Sequence, residues 1–195
     1  MFERFQELVE ASRSIRRFDE DESMDIKTLQ ELVDTARYTP SAANKQPLRY
    51  VLSSNADLNQ QIFGCLTWAA ALPDWPGPGP GERPTGYIVI LEDTRVSGTG
   101  WMDQGIAAQT MLLAARAKGY GGCMLAAVNR KELGRILELQ KNYSILLVLA
   151  LGRPNEQVVL EESVSGQSLD YYRDEQDVHH VPKRPLAETV LAAYW

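Results

Sequence analysis

The side chains that could do chemistry in this 195-residue chain gather in two short stretches. The first is Arg13-Ser14-Ile15-Arg16-Arg17-Phe18, where guanidinium groups crowd together. Arginine presents a planar fork of donors that matches phosphate and carbonyl oxygens. Arg13 and Arg16 are three residues apart and would share one side of a turn. Taken alone, the segment reads equally well as a solvated basic turn beside the acidic run Asp19-Glu20-Asp21-Glu22. The second stretch is Pro40-Ser41-Ala42-Ala43-Asn44-Lys45-Gln46-Pro47. Its small residues let the backbone approach a flat ligand. Asn44 and Gln46 each offer a donor and an acceptor, which suits the edge of a heteroaromatic ring. Taken alone, it is a polar link from a helix to a strand.

The surrounding elements must hold these stretches in place. Phe2, Phe5, Leu8 and Val9 recur at helical spacing, so a helix opens the chain and ends near Ser12. A second helix starts at Asp25, a good N-cap, and carries Ile26, Leu29, Leu32, Val33 and Ala36. Pro40 stops it by disfavouring helical geometry at Thr39. Tyr50-Val51-Leu52 reads as a strand, and Leu58, Ile62, Cys65, Leu66 and Ala69 mark a third helix. Residues 73–84 are rich in proline and glycine and exclude regular structure, leaving a loop or lid. Tyr87-Ile88-Val89-Ile90-Leu91 reads as a buried strand. A long helix then runs to about Lys118, with Ile106, Ala107, Thr110, Leu113, Ala114 and Ala117 inward, and Gly119 caps it. A short strand at Cys123–Ala127, a helix over 130–138 capped by Asn129, and an interior strand over Tyr143–Leu151 follow. Residues 155–185 show no sustained period. A short helix from Leu186 to Tyr194 closes the chain. This alternation alone suggests a parallel α/β sheet.

Composition narrows the class. The net charge of −6 argues against a general nucleic-acid surface. Cys65 and Cys123 are far apart in apolar surroundings, so we expect reduced core residues of a cytoplasmic protein. The N-terminus is charged where a signal peptide is apolar, and no run approaches a membrane span, so no membrane partner is expected. Gly119 and Gly121 begin a G-x-G-x-x-G pattern, but position 124 is Met, and no Walker A sequence occurs. The adjacent His179 and His180 point opposite ways on an extended chain, so they read as packing or hydrogen-bonding groups and no metal site is expected.

Taken together, four elements resemble the flavin-dependent nitroreductase family. They are the Arg13–Phe18 segment, the Pro40–Pro47 loop, Asp103-Gln104-Gly105-Ile106-Ala107-Ala108-Gln109 with Gly119-Tyr120-Gly121 and Leu125-Ala126-Ala127, and Leu151-Gly152-Arg153-Pro154 with Val181-Pro182-Lys183-Arg184. The resemblance spans roughly residues 3–190. It implies one α+β domain over 1–195: a mixed sheet flanked by helices, in an intertwined homodimer, with residues 155–185 crossing the partner. It implies FMN as cofactor and NAD(P)H as co-substrate. Arg13, Lys183 and Arg184 would hold the phosphate, with Ser14 assisting. Arg16 would stand near the pyrimidine end of the flavin. Ser41, Ala42 and Asn44 would come from the other subunit and contact ring and ribityl, with Pro40 also among the cofactor-binding residues. The backbone of Leu125, Ala126 and Ala127 would face the ring.

Two departures bear on this. Ser12 stands where many relatives have arginine, and Ala126 or Ala127 where they often have Gly or Glu. The implied activity is ping-pong reduction of a nitroaromatic or quinone-type acceptor. The flavin does the chemistry, so no side-chain acid or base is nominated. An ene-reductase, dehydrogenase or dehalogenase on the same cofactor, or a non-catalytic flavin-binding protein, also fits. Trp68, Trp75 or Trp101 could stack on an aromatic substrate, with core packing the expected role of Trp68.

Overall fold

A computed structural model describes residues 1–96 and 100–195, and of Trp101 the backbone alone, so the stacking role considered for Trp101 lies outside the described side chains. The elements run α1 (Phe2–Ala11), β1 (Phe18–Asp19), α2 (Ile26–Ala36), β2 (Leu48–Ser53), α3 (Ala56–Phe63), β3 (Gly86–Asp93) and α4 (Gly100–Ala117). They continue as β4 (Gly121–Leu125), α5 (Arg130–Ile136), β5 (Tyr143–Pro154), β6 (Val158–Glu162), β7 (Tyr172–Arg173), β8 (His179–Lys183) and α6 (Leu186–Thr189). The described residues fall into two compact units. One comprises Met1–Trp68 and Gly77–Asn155, the other Ala69–Pro76 and Glu156–Trp195.

The first unit is built on a five-stranded sheet in the order β1-β5-β3-β2, with β4 also paired to β5. All four of its ladders are antiparallel. The fold class is therefore α+β, and the parallel sheet suggested by simple alternation does not form. The long apolar run at Tyr143–Leu151 explains why: β5 is the interior strand on which β1, β3 and β4 all pair. Ile88, Ile90, Leu149 and Leu151 are fully buried against Met24, Leu29 and Leu32 of the α2 region and Met111 of α4. Each such side chain contributes roughly 1.5–3 kcal/mol of burial.

Local signals act where the sequence places them. The Asp25 carboxylate accepts from the Thr28 amide at 2.6 Å and opens α2. Asn129 does the same for Glu132 at 3.2 Å. The Glu132 side chain, however, turns to Arg135 at 2.6 Å, so the capping box is half made. Gly119 ends α4 at φ +82, the left-handed geometry expected of a C-cap glycine.

Three readings need correction. The third helix ends at Phe63 rather than near Ala69, because Leu66 leaves it to bridge Val128. On α4 the buried stripe is Ala107, Ala108, Met111, Leu112 and Ala115. Ile106 is 43% exposed, and Thr110, Leu113, Ala114 and Ala117 are not buried. The helix is apolar on nearly every side, so periodicity alone could not tell which side faces inward. Residues 155–185, read as lacking a period, form a three-stranded sheet ordered β6-β8-β7. In it β6 and β8 are parallel and β7 and β8 antiparallel.

This second sheet is stitched by polar groups. His180 stands between Glu161 at 2.5 Å and Asp174 at 2.9 Å and stacks on Tyr172. His179 is buried beside Tyr171. The two histidines thus serve as packing and hydrogen-bonding groups. Arg173 reaches Glu156 at 2.6 Å, with the carboxylate almost wholly enclosed, and covers the Trp75 ring.

Candidate functional site

Extended chain, not a turn, carries the arginine segment. Ser14 forms a parallel bridge with Gly122, and the Ile15 amide donates to the Gly122 carbonyl at 2.9 Å. Close packing holds both neighbouring positions to glycine: a Cβ at Gly121 would sit 2.7 Å from the Ile15 side chain, and Gly122 is pressed against β5. A Cβ there would sit 2.6 Å from the Leu151 side chain and 2.7 Å from the Ala150 carbonyl. Ile15 and Phe18 are buried and anchor the segment, and the Arg16 residue is itself 8% exposed. Arg13 is half-buried and donates to the Val9 carbonyl at 2.7 Å, at the C-terminal end of α1. Its Nε is buried without a hydrogen-bond partner among the described residues. Burial pulls the Arg13 guanidinium below its ordinary value, against the opposing pull of Glu10.

β4 runs from this contact to Leu125, then into exposed Ala126 and Ala127. The Ala126 carbonyl accepts from Arg130 at 3.1 Å and the Ala127 carbonyl from the Thr67 amide at 2.9 Å. These bonds fix the backbone while leaving two methyl groups as the exposed surface. Arg13, Ser14 and Arg16 are thus brought alongside the strand that ends at Leu125-Ala126-Ala127. Trp68, next to Thr67, is 6% exposed and packs on Phe63 at 5.8 Å between ring centres.

The Pro40–Pro47 loop is a strained turn. Ala43, Asn44 and Gln46 have φ of +51, +53 and +49. Non-glycine residues in this region cost of order 1–3 kcal/mol each, and persist only where the surroundings hold them. The holder is Asp103, 4% exposed on α4. Its carboxylate accepts from the Ser41 hydroxyl at 2.6 Å and weakly from the Ala42 amide at 3.4 Å. The Ser41 oxygen in turn accepts from the Gln46 amide at 2.8 Å. Pro40 and Asn44 are exposed, Ser41 and Ala42 half-buried. Behind the loop lies a cavity of about 130 Å³ lined by Pro40, Ser41, Tyr50 and Asp103. Burial, then the Asp103 charge, pushes the Tyr50 phenol up. Asp103 figured in the sequence only as part of a motif. A lone carboxylate in the first turn of a helix gives no local sign of a contact 62 residues away.

Lys183 and Arg184 lie in the second unit, exposed at the end of β8, and Arg184 sits 3.7 Å from Glu188. The Trp75 ring, also in that unit, faces Arg173 at 5.1 Å. Residues 81–84 are fastened to the β1 region. The Phe18 amide donates to the Glu82 carbonyl at 3.0 Å, and the Glu20 carboxylate accepts from the Gly81 amide at 2.6 Å. Cys65 and Cys123 are buried thiols outside any disulfide. Among the described residues no cluster of His, Cys, Asp or Glu could hold a metal ion, and no helix is long and apolar enough to cross a membrane.

Known proteins share this fold. A family model described as the Nitroreductase family matches residues 9–76 and 80–153. A protein of Archaeoglobus fulgidus named "Putative NADH dehydrogenase/NAD(P)H nitroreductase" is 24% identical over 158 residues, covering 77% of this chain and 85% of that one. A nitroreductase family protein from Clostridium novyi NT has a solved structure that superposes with TM-score 0.64 at 25% identity, covering 77% of this chain and 85% of its own. A "putative nitroreductase in complex with fmn" from Desulfovibrio desulfuricans superposes with TM-score 0.69 at 22% identity, covering 97% and 96%.

Proposed function

We propose that this chain, which belongs to the nitroreductase family, is an FMN oxidoreductase that takes hydride from NAD(P)H and passes it to an electron-poor acceptor, nitroaromatic or quinone in type. The observation that carries the reading is the bridge from Ser14 to Gly122. It lays a buried cation and a half-buried one along the strand that ends in exposed small residues. The donor set fits a flat cofactor with a phosphate tail, because Arg13 Nε is buried without a partner. When bound, FMN supplies reversible hydride transfer at its N5.

The chain's own residues do the rest. Arg13 and Ser14 offer charge and donors to the phosphate, and the proposal assigns Lys183 and Arg184 to the same group. Arg16 holds a positive charge in a low-dielectric position, which favours the negative charge of a reduced ring. Ala126 and Ala127 leave room for a nicotinamide and then the acceptor to use one pocket in turn. The Pro40–Asn44 loop, held taut by Asp103, offers its carboxamide and backbone to a second copy of the chain. Exposed Phe2, Phe5 and Ile106 support such a homodimer, because large apolar side chains left in water favour burial. We place the protein in the cytoplasm, with Cys65 and Cys123 reduced, and treat 1–195 as one domain whose 73–84 segment borders the substrate.

The test is a visible spectrum of the purified protein with FMN added, followed by anaerobic NADH or NADPH. Bands near ~450 nm that bleach with reduced nicotinamide are expected. Asp103→Ala should weaken FMN retention by relaxing the loop. A protein that neither retains nor rebinds flavin would refute the proposal.

A further inference from the structure

We propose that a second cavity in the first unit, between α3 and the chain at Arg83–Tyr87, is a binding site for a small organic monocarboxylate. The cavity holds about 400 Å³ and is lined by Glu20, Asn59, Phe63, Arg83 and Tyr87, among others. Such a volume suits a small ligand. It shares no lining residue with the FMN site proposed above.

Its polar groups are unevenly satisfied. Tyr87 is 1% exposed, and its hydroxyl has no hydrogen-bond partner among the described residues. Arg83 Nε is also buried without one. Two acceptor groups in the same wall are already engaged. The Glu20 carboxylate takes the Gly81 amide at 2.6 Å and the Arg83 amide at 3.3 Å. Asn59 donates to the Thr85 carbonyl at 2.9 Å, and its oxygen takes the Ser53 hydroxyl at 2.7 Å. Of the wall's buried side-chain polar atoms, two donors remain without a partner among the described residues, and buried donors call for an acceptor. Burial keeps the Tyr87 phenol protonated at any ordinary pH, so it stays a donor.

The acceptor should be an anionic oxygen, because one of the donors is a guanidinium. Arg83 lies over the Phe63 ring at 4.5 Å, which fixes its plane and supplies an apolar wall. The carboxylates of Glu20 and Asp57 also border the cavity and disfavour a multiply charged phosphate. A single carboxylate on a short apolar or aromatic body is what these walls admit.

The probe is benzoate, with uncharged benzamide as control, added to the FMN-loaded protein and read by calorimetry and thermal unfolding. The variants are Tyr87→Phe and Arg83→Gln. Because the Tyr87 hydroxyl bonds to nothing, Tyr87→Phe should melt at or above the wild type without ligand. Benzoate should saturate the wild type and raise its melting temperature. It should bind at least about tenfold more weakly to either variant, as expected for losing a hydrogen bond to a charged group. Benzamide should also bind at least about tenfold more weakly than benzoate. No saturation by benzoate would show that the cavity holds water only. Equal affinity for benzamide, or equal affinity in both variants, would also overturn the proposal, because the binding would then lie elsewhere.

Discussion

The two compact units are held together by different physics. In the first, β3 and β5 bury Ile88, Ile90, Leu149 and Leu151 completely, and the cohesion is apolar. In the second, the strands are joined through His180 between two carboxylates and through Arg173 on an enclosed Glu156. Apolar burial is non-directional and insensitive to pH. A network of charged pairs is directional, and each partner depends on the other. The two units should therefore respond to different insults.

The sharpest contrast comes from Arg173→Met. It removes the Arg173 partner of the Glu156 carboxylate, whose side chain is 2% exposed, and breaking such a buried pair typically costs about 3–5 kcal/mol. Hydrogen exchange over β6–β8 should speed accordingly while β3 and β5 stay protected. Uniform acceleration in both sheets would erase the contrast. Leu149→Ala is the complementary cut. A fully buried leucine lost from the first unit should lower its stability by about 2–5 kcal/mol in chemical denaturation. A loss below about 1 kcal/mol would mean the core collapses around the gap. Asn55→Ala removes the cap whose oxygen accepts from the Leu58 amide at 2.9 Å. That should cost about 1 kcal/mol and fray α3 alone.

The smallest effect is in titration. Hydrogen bonds to Asp174 and then Glu161 hold the His180 imidazolium above its ordinary value of about 6.5. Its contribution is complete below that ordinary value and is lost as pH rises through the folded one. His180 correspondingly depresses the Asp174 carboxyl. That contribution is present above the ordinary value of about 3.9 and lost as pH falls through the depressed one. Protection factors over β6–β8, which take out the base-catalysed rise of intrinsic exchange, should therefore fall on the alkaline side in the wild type but not in His180→Gln. An NMR titration placing His180 at or below about 6.5 would contradict this.

The same contrast decides what could be read in the sequence. Asp25, Gly119 and the proline bracket at Pro40 and Pro47 act within a few residues, so their signals are local and legible. The runs Tyr87–Leu91 and Tyr143–Leu151 announce buried strands by apolarity alone. β6 to β8 carry no such run: Glu161 and His180 break the apolar pattern within β6 and β8, Asp174 stands just past β7, and their sheet went unread. Much of the candidate site was legible through motifs, namely Arg13 to Arg16, the loop and Leu125–Ala127. Its supports were not. Asp103 acts across 62 residues, with no local signal of its reach.

The loop before β3 carries one more consequence. Space around Gly79 is open, while residues just beyond it are zipped to β1, the Glu20 amide donating to the Gly81 carbonyl at 3.3 Å. Past them, Leu48–Ser53 pairs with Tyr87–Glu92 along the β2–β3 ladder. A break in the backbone beside Gly79 would leave each piece holding one side of that seam. Expressed separately, the two halves should find each other and regain the far-ultraviolet signal of the uncut chain. The molecule is in this sense already divided for two-piece reconstitution, with its covalent link at Gly79 serving mainly to keep the halves at high local concentration.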